Sequence, residues 1–202
     1  GVGMVRELAF AAAQAAAAGG RDLPEEFVGQ AIKETVMHEV GHTLGLRHNF
    51  KASSWQKLRD AHQPADLSKP TTASVMDYNP YTFSDAMANQ GAFASPTLGP
   101  YDYWAIDYGY RAFQKKEEEN APKDEKEMLK RIASRSAEPG LDYATDEDTS
   151  DAYPDPLVNR WDDGRDPLEF ASDRMVAIEK LWKDGLDWAV KDGESQNRAR
   201  RV

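Results

Sequence analysis

Cysteine is absent from the 202-residue chain. Disulfide frameworks, thiolate nucleophiles, zinc ribbons and iron–sulfur clusters are therefore excluded, and any bound metal must be held by His, Asp or Glu. The redox compartment stays open. Positive charge is also scarce, with 25 Lys plus Arg against 35 Asp plus Glu and a formal net charge of −10. A nucleic-acid footprint needs clustered cations to displace counterions, and the single basic run, Arg198 to Arg201, stands at the C-terminal tail. No nucleic-acid partner is expected. Long apolar runs are missing too. The alanine-rich stretch Ala9 to Ala18 is about half of what a bilayer span requires, and Arg6 and Glu7 interrupt its approach. It reads as neither signal peptide nor anchor. Strand signals are sparse and no internal repeat is visible.

What is present is helical pattern. The length fits one domain or a modest domain with an appendage, and 40% hydrophobic residues suffice for a core. Residues 3–18 have high helix propensity, with Val5, Leu8 and Ala12 on one stripe and Gly19 and Gly20 as the stop. Asp22 as N-cap, Pro24 early in the helix and Glu25 and Glu26 in the first turn predict a long helix over 24–44. Residues 50–72 read as loop with one short helix around Trp55 to Ala61, and 80–97 as loop. Tyr101, Trp104, Ala105 and Tyr108 fall on one helix face within 98–109, a face expected to enter the core. A solvated helix over 115–136 has Met128, Leu129 and Ile132 to dock it. A last amphipathic helix from about 166 to 183 carries Leu168, Ala171, Met175, Ile178 and Trp182. The fold class is mainly α.

Three of the four histidines lie within HEVGHTLGLRH, residues 38–48. Four helical residues turn through roughly 400°, so His38 and His42 point the same way and form a clamp for a metal. Glu39 stands beside the clamp, where a carboxylate can take the proton of a metal-activated water and act as general base. In a continuous helix His48 would sit roughly 600° beyond His42 and face away. Gly45 supplies the necessary break, because glycine enters the left-handed conformation without steric cost, so His48 can return as third ligand. Gly41 is costly inside a helix, which points to a packing or access reason. Three neutral histidines with one open position make the tetrahedral site expected of catalytic zinc. His62, in a polar loop, reads as a surface histidine.

The pattern HExxHxxGxxH resembles the signature of the metzincin superfamily of zinc endopeptidases. SVMDY (74–78) is similar to that superfamily's methionine turn, with Met76 standing twenty-eight residues after His48. The resemblance implies that Met76 is an apolar floor under the metal and not a ligand. It also implies that Tyr78 reaches the zinc or the transition-state oxyanion, as in astacin-like and serralysin-like members, or else packs beside the turn. Asn49 is expected to play a structural hydrogen-bonding role. TLGPYDYWAIDYGY (97–110) is similar to the core helix that follows the turn. Together these segments look most like the bacterial met-zincins, large zinc-dependent metalloproteases with long regions upstream of the core. DPLVNRWDDGRDP (155–167) resembles that group's C-terminal portion.

The expected organisation is a metzincin catalytic core over 1–110 and a helical C-terminal extension over 111–202 packed on it. Metzincins lay a twisted sheet before the active-site helix, whereas the 37 residues before His38 read as helix. The sheet is therefore expected to be largely absent from this chain and supplied by an upstream region of the same polypeptide, which completes the cleft. The expected activity is hydrolysis of protein or peptide substrates, with secreted or periplasmic location implied by the resemblance. Two alternatives stay open, a zinc hydrolase of non-peptide amides or esters and a non-catalytic zinc-binding module. The acidic residues Asp142, Asp146, Glu147, Asp148, Asp151 and Asp155 match no calcium-loop spacing and read as solvated surface.

Overall fold

The computed structural model describes residues 2–17, 23–61, 66–83, 90–114, 121–149 and 155–189. These contain helices and no strand: α1 (Val2–Ala17), α2 (Glu25–Thr43), α3 (Leu58–Ala61), α4 (Pro100–Tyr110), α5 (Glu125–Ala133) and α6 (Pro167–Ala189), with short 3-10 turns such as Ala52–Trp55. Asp22, His62, Asp151 and residues 115–120 and 198–201 lie outside the described residues. Among the described residues no helix is long and apolar enough to cross a membrane.

α2 is the axis of the molecule. Pro24 stands at its N-cap, where no N–H is needed, and Glu25 and Glu26 meet the positive end of the dipole. Its inner face carries Phe27, Gln30, Ala31, Glu34, His38 and Gly41, all buried. Phe27 is the anchor of the main core, with ring centroids 5.1 Å from Tyr81, 5.2 Å from Phe83 and 5.5 Å from Phe93. Burying such a side chain contributes about 2 kcal/mol. Ala11 and Leu8 of α1 close this cluster. A smaller one, Phe50, Ala144 and Val158 with Tyr78 packed on it, joins the C-terminal half of the chain to the end of α2.

α4 and α5 are tied by Trp104, whose indole N–H donates to the Ile132 carbonyl at 2.7 Å. Met128 and Ile132 are buried as the pattern predicted. α5 is shorter than predicted, beginning at Glu125 because Asp124 caps it by accepting from the Glu127 N–H at 2.8 Å.

Four expectations about faces and ends need correction. α1 turns Glu7, Ala11 and Ala15 inward and leaves Val5 exposed, because Glu7 pairs with Arg174 of α6 at 2.7 Å. α4 buries only its first turn, Tyr101 and Asp102, and Tyr108 is exposed. On α6 the rhythm of Leu168, Met175, Ile178 and Trp182 lies on the exposed side, since the helix docks on α1 through Arg174, which also sits 4.0 Å from the Phe10 ring centroid. The predicted helix around Trp55 to Ala61 is split into the 3-10 turn and α3, with Gln56 in extended conformation between them.

Candidate metal centre

α2 ends by a hydrogen-bond pattern that only a left-handed residue permits. Gly45 has φ +84°, its N–H donates to the His42 carbonyl at 3.0 Å, and the Leu46 N–H donates to the Gly41 carbonyl at 3.0 Å. The reversal carries His48 back over the helix end. Its ring centroid then lies 4.8 Å from that of His42 and 5.3 Å from that of His38, while His38 and His42 are 4.7 Å apart.

Each imidazole is oriented by its Nδ1. His38 donates to the Val75 carbonyl (2.7 Å), His42 to the Leu46 carbonyl (2.9 Å) and His48 to the Asp146 carboxylate (2.9 Å). The acceptors are oxygens without hydrogen, so Nδ1 is the donor in all three and Nε2 is the nitrogen left for another partner. One ring nitrogen from each histidine lies within 4.8 Å of the others, and Nε2 of His48 is buried with no hydrogen-bond partner. Burial lowers the pKa of His38, favouring the neutral, ligating form, and the neighbouring histidines add to this. A buried Nε2 without a partner, on the third of three converging imidazoles, fits a metal of the zinc type.

The methionine turn builds the floor. Met76 is fully buried, and a Cβ at position 41 would run into its sulfur, which is why a glycine is needed in the last turn of α2. Asn49 is fully buried and ties three segments, with its backbone N–H on the Met76 carbonyl (3.0 Å), its Nδ2 on the Asp142 carbonyl (3.0 Å) and its Oδ1 accepting from the Ala144 N–H (3.2 Å). Asp102, at the third position of α4, is the hidden hub. It accepts from the Ser74 hydroxyl (2.6 Å), the Val75 N–H (3.0 Å) and the Gly99 N–H (2.8 Å). Burial raises its pKa, and these three donors pull the other way.

Tyr78 lies beside the histidine group, its ring centroid 4.7 Å from that of His48. Trp161 stacks on its other side at 5.1 Å and 21°, held in a left-handed backbone (φ 67°) by its N–H on the Tyr78 carbonyl at 2.8 Å. Burial and then the Asp146 charge raise the phenol's pKa, so it keeps its proton and can donate. Glu39 is exposed, beside Tyr78 and His38 on the wall of a cavity of about 290 Å³.

The acidic segment is not plain solvated surface. Asp146 holds His48 and also accepts from Arg160 (2.9 Å), Glu147 pairs with Arg47 (2.7 Å), and Asp155 pairs with Lys51 (2.7 Å). These three acids tie to His48, Arg47 and Lys51, next to the third histidine. Nothing local marks Asp146, one of five aspartates in the segment, as the partner of a histidine 98 residues away. Asp102 carried a weak sign, an acid three residues into a Gly-Pro helix start. Replacing Asp146 with Ala is expected to weaken zinc binding roughly 10- to 100-fold, since the His48 ring loses its anchor. Competitive titration with a chromophoric chelator measures this, and an unchanged affinity refutes the anchoring role.

The model of a family described as Met-zincin matches residues 20–202. The chain belongs to the Met-zincin family. No curated protein and no solved structure matches it. With the three-histidine group, membership makes this Met-zincin chain a zinc metallopeptidase-like domain, and its mainly helical architecture, with no strand among the described residues, is that of a metzincin C-terminal portion without the N-terminal sheet.

Another buried acid of this Met-zincin chain lies on α2 itself. Glu34, one turn before His38, is 8% exposed, and burial raises its pKa to about 7. Because the folded value exceeds the unfolded one, the associated stability is fully present below about pH 4.5 and is lost as pH rises through 7. The loss is about 3 kcal/mol. Glu34→Gln keeps an oxygen for both existing donors and removes the ionisation. Its stability relative to the parent is therefore expected to rise between pH 4.5 and 7 in urea titrations, and a flat difference would refute an ionising Glu34.

Proposed function

We propose that the chain is the catalytic core of a zinc-dependent endopeptidase. The observation that carries this reading is the placement of Glu39. It ligates nothing in the histidine group, yet it stands beside that group on the wall of an open cavity, where a purely structural site has no use for a base. His38, His42 and His48 would hold the ion. Zinc supplies Lewis-acid polarisation of the scissile carbonyl and lowers the pKa of the attacking water. Glu39 accepts that water's proton and passes it to the leaving amine. Tyr78, protonated and stacked on Trp161, donates to the oxyanion that develops on the carbonyl. Met76 and Gly41 keep the floor apolar and close-packed.

The reading extends to a surface. Val28, Ile32, Val36, Val40 and Leu44 are spaced by four along α2 and all exposed, an aliphatic stripe on the back of the helix that carries the ligands. An upstream region of the same polypeptide, packing there, completes the cleft; the stripe supports this because contiguous apolar surface of that kind marks an interaction face.

The test uses casein and a panel of small amides and esters. Zinc-loaded protein is expected to cleave casein, to stop on chelation and to recover on zinc addition. Hydrolysis of the small substrates alone would make it a non-peptide hydrolase, and zinc binding with no hydrolysis would make it a binding module.

A further inference from the structure

The cavity lined by His38, Glu39 and Tyr78 is lined also by Glu34, Thr35, Asn79 and Tyr81, its Glu34 end lying one turn of α2 before His38. That end is more buried than the wall at Glu39, which is exposed. Glu34 and Asn79 are each 8% exposed. Asn79 Nδ2 and the Ser95 N–H both donate to the same oxygen, Oε1 of Glu34, each at 3.1 Å. No described residue donates to Oε2 of Glu34, and Oδ1 of Asn79 is buried with no partner. One buried acceptor, Asn79 Oδ1, is thus left without a donor beside a largely buried acid whose two bound donors both serve its other oxygen. Buried acceptors cost free energy unless donors reach them, and a buried carboxylate costs more unless a cation does.

The cavity wall offers no such cation. Arg160 is the one basic side chain among its lining residues, and it belongs to the mouth, where it donates to Asp146 and lies 4.8 Å from the Phe50 ring centroid. The missing donors must come from what enters. Glu34 precedes His38 by one helical turn, roughly 6 Å along the axis. A peptide residue lying against the histidines therefore needs a long side chain with N–H groups at its tip to reach both acceptors.

We propose that this end of the cavity is a subsite for a basic substrate side chain, arginine above all, whose guanidinium donates to Glu34 Oε2 and Asn79 Oδ1. The planar fork of a guanidinium can serve two neighbouring acceptors at once, which an ammonium does less well. Burial holds the Glu34 carboxyl near neutrality in pKa, and an entering cation supplies the charge that ionises it. The subsite rests on the endopeptidase reading for its substrate but not for its binding chemistry.

The experiment compares zinc-loaded parent with Glu34→Gln. Matched peptides are used that differ only by arginine or norleucine at the residue flanking the cleaved bond. The ratio of kcat/KM for arginine over norleucine is expected to exceed ten in the parent and to fall at least tenfold in E34Q. A merely structural Glu34 would lower both peptides together and leave the ratio alone. In parallel, arginine amide and norleucine amide are titrated by calorimetry, a readout that needs no turnover. The parent is expected to bind arginine amide at least tenfold more tightly than E34Q does, with norleucine amide weak in both. An unchanged ratio, or arginine amide binding no better than norleucine amide, overturns the subsite while leaving the peptidase standing. Glu34-dependent binding of arginine amide without cleavage of any peptide does the reverse.

Discussion

Replacing Glu39 with Ala is expected to lower kcat for peptide hydrolysis by about 10³-fold, within the range general acid–base groups supply, while zinc content stays at the parent level. The two halves of this result test different things. Glu39 follows His38 directly on α2 and so projects beside the histidine group, not into it, and it takes no part in the metal-ligating set. The three imidazoles are held by Val75, Leu46 and Asp146, none of which depends on Glu39. Zinc should therefore remain, and the loss should fall on kcat because proton transfer is needed only in the transition state. Glu39→Gln, which keeps the shape and removes the basicity, is expected to fall nearly as far. Activity within tenfold of the parent removes Glu39 from the mechanism, and loss of zinc along with activity makes it a structural residue of the site. Metal analysis beside a steady-state assay distinguishes the outcomes.

Replacing Asp102 with Ala is expected to cost about 4 kcal/mol of stability, the sum of several buried donors left without an acceptor. Ser74 Oγ, Val75 N and Gly99 N all converge on this one carboxyl, which is 2% exposed. The Ser74 hydroxyl in turn accepts from the Met76 N–H at 3.0 Å, so the methionine turn is suspended from α4 through a single side chain. The consequence reaches the metal. Val75 donates its N–H to Asp102 and offers its carbonyl to His38 Nδ1, so a slackened turn also releases the first imidazole. Urea unfolding is expected to show the loss in stability, and chelator competition a parallel loss in zinc affinity. A variant within about 1 kcal/mol of the parent would mean that the turn is held by its neighbours and that Asp102 is replaceable.

The histidine site was legible in the chain because everything it needs is local. Helical period brings His38 and His42 together, one left-handed glycine turns the chain, and eleven consecutive residues suffice. The groups that orient those histidines are not local. Val75 lies 37 residues from His38 and Asp146 lies 98 from His48, and an aspartate among several others shows no periodicity by which to choose it. The same holds for Asp102 and the turn it supports 27 and 28 residues away. The helices themselves were legible to within a residue or two at α2 and α4, where proline, acidic first turns and glycine mark the ends. Where an end depended on a single cap, as at α5, the predicted helix ran too long.

By itself the sequence determined the helical class, the confinement of metal binding to histidine or carboxylate and the convergence of three imidazoles, since these follow from composition and from bonds within one stretch of backbone. Which face of each helix turns inward was decided only by tertiary structure. On α2 the aliphatic row Val28, Ile32, Val36, Val40 and Leu44 is the more hydrophobic side, and a rule that buries hydrophobic residues would have put it in the core. The fold instead buries Phe27, Gln30, Ala31, Glu34, His38 and Gly41. That face alone offers a glycine where Met76 must approach, an acid for the Ser95 and Asn79 donors and a histidine within reach of the Val75 carbonyl, and close packing and hydrogen bonding across long separations outweigh the apolar area left outside.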